Sequence, residues 1–174
     1  RALWRKSWDE ARLLLACCAL LLLVFHWLYV WVSSQVKLGA LSDFLESLPE
    51  SFRGLTGMPV RDVATVAGRL ALGYLDPVVM VATSVWAIAR GTDVVSGEID
   101  RGTMEMLLAQ PVRRIQVLLT HAAITVGGAA LLGLNCFVGT AAGLVTVTLE
   151  HPVSARLFVF PALNVFAMTF FLAG

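Results

Sequence analysis

The sequence predicts an all-α fold: a polytopic transmembrane helical bundle with about four spans, an interfacial N-terminal helix and a short helix in a cytoplasmic connection. Three observations predict it. The 174-residue chain is 58% hydrophobic and only 14% charged, with a mean hydropathy of +0.80, whereas a soluble domain of this size needs far more charge to cover its surface. Its apolar residues fall into runs long enough to cross about 30 Å of hydrocarbon at about 1.5 Å per residue. The polar residues are gathered between those runs, with Gly and Pro among them. A net charge of +1 and the lack of a basic cluster give no sign of nucleic-acid binding.

Residues 1–12, RALWRKSWDEAR, read as an interfacial helix: Leu3, Trp4 and Trp8 can share one face, and Arg1, Arg5, Lys6 and Arg12 supply positive charge. The first span covers 13–32, with Trp27, Tyr29 and Trp31 as an aromatic belt at its far end. Its apolar run is too long for a signal peptide and lacks a small-residue cleavage site. Residues 33–76 form an outer loop punctuated by Gly39, Pro49, Gly54, Gly57 and Pro59. Within it, 62–75 carries a stripe at Val63, Val66, Ala67, Leu70 and Tyr74, the spacing of an amphipathic helix on the outer face. Asp76-Pro77 then marks a helix start, Asp76 capping and Pro77 taking the first helical position, where its missing N–H costs nothing. The second span follows over 77–92; a start nearer Leu70 is the alternative and places Asp76 inside the bilayer, where a carboxylate is expensive.

A charged segment, 93–114, separates the second span from the third, at 116–148. Glycines at 127, 128, 133, 139 and 143 suit close helix packing there, and Gly139 to Gly143 is a GxxxG pattern for helix packing. Glu150-His151-Pro152 reads as a turn, and 157–174 as a fourth span cut short at Gly174. The chain starts at Arg1 rather than Met, so a piece of a longer protein is expected. With the N-terminus inside, Arg1, Arg5, Lys6, Arg12, Arg90, Arg101, Arg113 and Arg114 face the cytoplasm, against Lys37, Arg53, Arg61, Arg69 and Arg156 outside. That bias supports a cytoplasmic N-terminus and a cytoplasmic 93–114 segment.

The 93–114 segment is patterned beyond what a plain connection needs. Gly97 and Gly102 divide it, Thr103 can cap a turn beginning at Met104, and Glu105 sits near that positive helix end. Met104, Leu107 and Leu108 fall on one face, and Pro111 stops the helix. So short a helix is unstable in isolation and needs its own membrane domain, the lipid surface or a partner groove to hold it. Glu98 and Arg101 are three apart and Arg101 and Glu105 four apart, pairs that contribute only about 0.2–0.5 kcal/mol each. The pattern points to docking rather than to a solvated loop.

GEIDRGTMEMLLAQPVRR resembles the cytoplasmic segment of ABC-2 type transporter permeases, through Gly97-Glu98, Gly102-Thr103, Leu107-Leu108, Pro111 and Arg113/Arg114. The resemblance covers the layout of the whole chain, but specific residues only across 97–114. It implies about six spans, of which this sequence supplies about four, so a missing C-terminal part is expected. It also implies the membrane subunit of an ATP-driven transporter, an exporter in the cell (plasma or inner) membrane, dimerising with itself or a paralogue. A separate ATP-binding subunit, holding ATP and Mg, would contact the N-terminal helix and the short cytoplasmic helix. Gly97, Glu98, Arg101, Gly102, Thr103, Met104, Glu105, Leu107, Leu108, Pro111, Arg113 and Arg114 are then the coupling residues. Met104, Leu107 and Leu108 fill the partner's groove, while Glu98, Arg101 and Glu105 set orientation.

No cofactor site is expected in the chain itself. It has no GxxxxGK[ST] to cradle phosphates, and neither HExxH nor GxSxG. Cys17, Cys18 and Cys136 lie in apolar runs without metal-ligand spacing and read as packing residues. His26, Asn135 and Asn164 read as interhelical hydrogen-bonding groups, His121 as interfacial, and Arg90 as a cation snorkelling to head groups. Two other function classes stand beside the permease: a non-transporting membrane anchor or assembly factor that recruits a cytoplasmic partner, and an intramembrane enzyme using His26 or Asp76. A neighbouring reading frame with a P-loop discriminates for the permease, and a full-length chain of only four spans for the anchor. No residue reads a particular cargo.

Overall fold

The computed structural model describes residues 2–35, 65–93, 114–149 and 152–173. These form helices α1 (Ala2–Gln35), α2 (Val66–Leu72), α3 (Pro77–Asp93), α4 (Arg114–Thr146) and α5 (Val159–Ala173). Short 3-10 turns at Gly73–Leu75 and Ala155–Phe158 lead into α3 and α5. Among the described residues four stretches are long and apolar enough to cross a membrane: Ala11–Gln35, Val66–Thr92, Leu119–Thr146 and Ala155–Ala173.

The N-terminal helix and the first span form one helix. No Gly or Pro interrupts residues 2–35, so nothing stops α1 from running unbroken for 34 residues, about 51 Å at the usual rise. The second apolar stretch, by contrast, is broken at a place visible in the sequence. Thr65 caps α2, its hydroxyl accepting from the Gly68 N–H at 3.0 Å. Asp76 then adopts an extended conformation (φ −64°, ψ 142°), and Oδ1 accepts from the Val78 N–H at 2.9 Å. The Asp76 carbonyl accepts from the N–H groups of Val79 and Met80. Asp76 is thus the N-cap of α3 and Pro77 its first residue, which satisfies donors that the first turn of a helix leaves without intrahelical partners. The stripe expected on 62–75 is buried at Val66, Leu70 and Tyr74 and packs into the bundle against α1. Val63 lies outside the described residues.

Directions follow from pairs of contacts. A Cβ placed on Gly139 meets Leu23 and His26, and one on Gly143 meets Val30, so α1 and α4 run parallel. Trp86 covers Gly128 and Arg90 meets His121, so α3 and α4 are antiparallel. Tyr74 stacks on Phe158 at 6.2 Å while Gly91 lies beside Ala173, so α3 and α5 are parallel. The result is an up-down-up-down bundle. Helix α4 is its axis: Gly128 faces α3, Gly133 faces Ala162 and Phe166 of α5, and Gly139 and Gly143 face α1. Glycine is required at these places because backbones approach closely: a Cβ on Gly139 stands 2.5 Å from the Leu23 carbonyl oxygen, and one on Gly143 stands 2.6 Å from Val30 Cβ. The core between the helices includes Leu22, Trp86, Leu132, Cys136 and Phe158.

Candidate functional site: the root of the 94–113 segment

Residues Gly97, Glu98, Arg101, Gly102, Thr103, Met104, Glu105, Leu107, Leu108, Pro111 and Arg113 lie outside the described residues, and with them the short helix expected after Thr103. Arg114 is described as the first residue of α4. What the structure does place is the root of the segment. Helix α3 ends at Asp93 and α4 begins at Arg114. Because the two helices are antiparallel, both ends lie on one side of the bundle, together with the start of α1 and the end of α5.

At that root the structure departs from the expectation for two residues. Arg90 does not snorkel: it is 3% exposed, and His121 is 6% exposed. Arg90 Nη2 lies 3.3 Å from His121 Nδ1. A guanidinium only donates, so Nδ1 is the acceptor in this contact. The helical phase explains the placement. Val79, Ala82, Thr83, Trp86 and Arg90 are all buried and recur at three- and four-residue steps on α3, so Arg90 sits on the core face one turn below Trp86. His121, Ile124, Leu132 and Cys136 are the corresponding buried face of α4. That periodicity, rather than each residue's nearness to a span end, sets where the side chains lie.

A second polar group ties the other end. Tyr74 Oη lies 2.8 Å from Thr140 Oγ1, and both hydroxyls reach the Cys136 carbonyl, Thr140 at 3.0 Å and Tyr74 at 3.4 Å. The His26 ring packs 4.6 Å from Tyr74, centroid to centroid. Its Nδ1 donates to the Leu22 carbonyl at 2.9 Å, and its Nε2 has no hydrogen-bond partner. Trp27 Nε1 donates to Thr146 Oγ1 at 3.0 Å, linking α1 to α4 again. These contacts fasten helices and present no nucleophile beside a general base. Among the described residues no three His, Cys, Asp or Glu side chains gather as a metal site. Asn135 does not bridge helices: its amide donates to the Leu131 carbonyl of its own helix at 2.8 Å.

Among the described residues, grooves open between helices. One of about 450 Å³ is bounded by Cys17, Leu21, Val81 and Val85; another of about 420 Å³ is bounded by Gly133, Phe137, Ala162 and Phe166. Their apolar walls offer no group that would select one cargo chemistry. The chain matches the family described as "ABC-2 family transporter protein" over residues 10–173. No curated protein and no solved structure matches it.

Proposed function

The chain belongs to the ABC-2 transporter family, and from that premise we propose that it couples ATP binding and hydrolysis in a separate subunit to export of a substrate across the cell membrane. As a family member it is a multi-pass membrane subunit of an ABC transporter rather than the ATPase. The proposal adds the coupling step, the direction and the partners. The observation that carries it is the family match across nearly the whole chain, joined to a patterned segment rooted on one side of the bundle by α3 and α4.

The ATPase subunit docks on Met104, Leu107 and Leu108, with Glu98, Arg101 and Glu105 setting its orientation and Gly97, Gly102, Thr103, Pro111, Arg113 and Arg114 shaping the turn. ATP and Mg are held by that subunit, since this chain has no phosphate-binding loop. The N-terminus and the 94–113 segment face the cytoplasm, in keeping with the excess of Arg and Lys there. Two such permease subunits, identical or paralogous, enclose the path. ATP favours one membrane conformation only through contacts that differ between conformations, and the 94–113 segment supplies those contacts. Leu107→Asp puts a charge into the apolar face and is expected to abolish both assembly with the ATPase and coupled hydrolysis. A Leu107→Asp protein that assembles and hydrolyses ATP normally defeats the docking assignment.

A further inference from the structure

We propose that two copies of this chain pair through α5, the Asn164 amide of one copy bonding the Asn164 amide of the other. The pairing rests on the two-subunit permease proposed above and names the surface where identical subunits meet.

Helix α5 has two opposite faces. Ala162, Val165 and Thr169 are buried and recur at steps of three and four residues, one stripe turned into the bundle. Phe160, Asn164, Ala167 and Phe171 recur at steps of four, three and four. At about 100° per residue this second stripe lies nearly opposite the first. Phe160 is 78% exposed and Phe171 80%; Asn164 is exposed and Ala167 half-buried. The span that holds α5, Ala155–Ala173, is the least covered of the four.

A face of phenylalanines alone would need nothing but lipid. Asn164 changes that. It stands at the midpoint of Ala155–Ala173, about 14 Å of helix from either end, and its side chain is too short to snorkel that far. Asn135 and Thr169 each place a donor on the carbonyl one turn back, whereas Asn164 makes no hydrogen bond to any described residue. An amide carries two donors and an acceptor. Hydrocarbon supplies partners for none of them, so polar side chains at such depth face other protein.

A second copy meets that need directly. Copies inserted in the same direction and related by a two-fold axis along the membrane normal place equal residues at equal depth, with their α5 helices parallel. Asn164 then meets a group that both donates and accepts, its own equivalent. Any other partner must bring a polar side chain to this depth independently. The spacing fits as well: alternating steps of four and three make a heptad seam, in which a single Asn among apolar residues sets register and the number of strands. Ala167, one turn on, leaves room for the backbones to close.

The test uses the full-length protein in liposomes. Copies carry a donor or an acceptor fluorophore on the same terminus, and energy transfer is followed across protein-to-lipid ratios. The native chain should saturate as a dimer. Asn164→Leu, which suits lipid, should raise the dissociation constant roughly three- to thirtyfold, the usual range for an interhelical hydrogen bond, and leave the thermal stability of the dissociated chain unchanged. Asn164→Gln keeps the amide and should stay nearer the native value. With Cys17, Cys18 and Cys136 replaced by alanine, Ala167→Cys and Phe171→Cys should form disulfides between copies under mild oxidation, while Leu20→Cys, at an exposed position on α1, should not. A dimer indifferent to Asn164→Leu, or one crosslinked through Leu20→Cys and not through Ala167→Cys, overturns the α5 interface and leaves the two-subunit reading standing. Loss of stability in Asn164→Leu without loss of association also overturns it, since the amide then serves a contact within its own chain. A chain that stays monomeric at every ratio defeats the pairing of identical subunits, interface included.

Discussion

Gly127 and Gly128 are adjacent in the sequence and stand in opposite surroundings. A Cβ on Gly127 has nothing within 4 Å, whereas one on Gly128 overlaps the indole of Trp86, 2.6 Å from Cε2 and 3.0 Å from Cη2. Trp86 is 0% exposed, so its ring has no open direction in which to yield. Replacing either glycine by alanine brings the same helix-propensity gain, about 1 kcal/mol, and that gain cancels when the two variants are compared. The overlap alone remains, and forcing one extra methyl into a packed core costs about 1–3 kcal/mol. Thermal unfolding of the full-length protein in one detergent, followed by intrinsic fluorescence, should therefore rank Gly127→Ala at or above the native chain and Gly128→Ala below it. Trp86→Phe removes the atoms that clash. In the double variant Gly128→Ala/Trp86→Phe the alanine should cost much less than it does alone, giving a coupling energy on the order of 1 kcal/mol or more. Equal effects of the two alanines, or additive behaviour in the double variant, would refute the packing of α3 on α4.

Tyr74→Phe deletes the hydroxyl bonded to Thr140 and should destabilise the bundle by about 0.6 kcal/mol, the usual size of an interhelical hydrogen bond in a membrane; the same thermal assay with Thr140→Val as the second arm of a cycle checks it. Asp76→Ala should cost about 0.5–2 kcal/mol by uncapping α3, and Asp76→Asn much less, because the amide oxygen also caps; equal losses would show that charge, not capping, is what Asp76 supplies. Gly143→Ile drives a branched side chain into Val30 and should separate α1 from α4, read as faster proteolysis of the N-terminal half in detergent, while Val145→Ile, at an exposed position on the same helix, should change nothing.

What was legible in the sequence was what depends on one helix at a time. The apolar runs announce the spans, and Asp76-Pro77 announces the break before α3, because a capping carboxylate and a proline act within a turn of themselves. The stripe at Val66, Leu70 and Tyr74 was also readable, although whether it would lie on a surface or enter the bundle was not. Contacts between helices depend on register across elements far apart in the chain. Trp86 against Gly128, Arg90 against His121 and Tyr74 against Thr140 each join residues more than thirty positions apart, and no local rule sets that register. Arg90 is a case where two local signals conflict. Its nearness to a span end argued for snorkelling, while its helical phase, shared with Val79 and Trp86, argued for burial, and phase decided the outcome. The contact of Arg90 with His121, at the ends of α3 and α4 that flank 94–113, was not readable.

The central claim is that the 94–113 segment docks an ATPase. Its most direct test is photo-crosslinking from a benzoylphenylalanine substituted at Leu107 in the full-length protein, in cells that naturally make it. A crosslink to a single cytoplasmic protein carrying a GxxxxGK[ST] loop, lost when Met104 and Leu108 are changed to aspartate, is the predicted result. A crosslink only to lipid, to the chain itself or to a protein without a nucleotide-binding loop contradicts the claim.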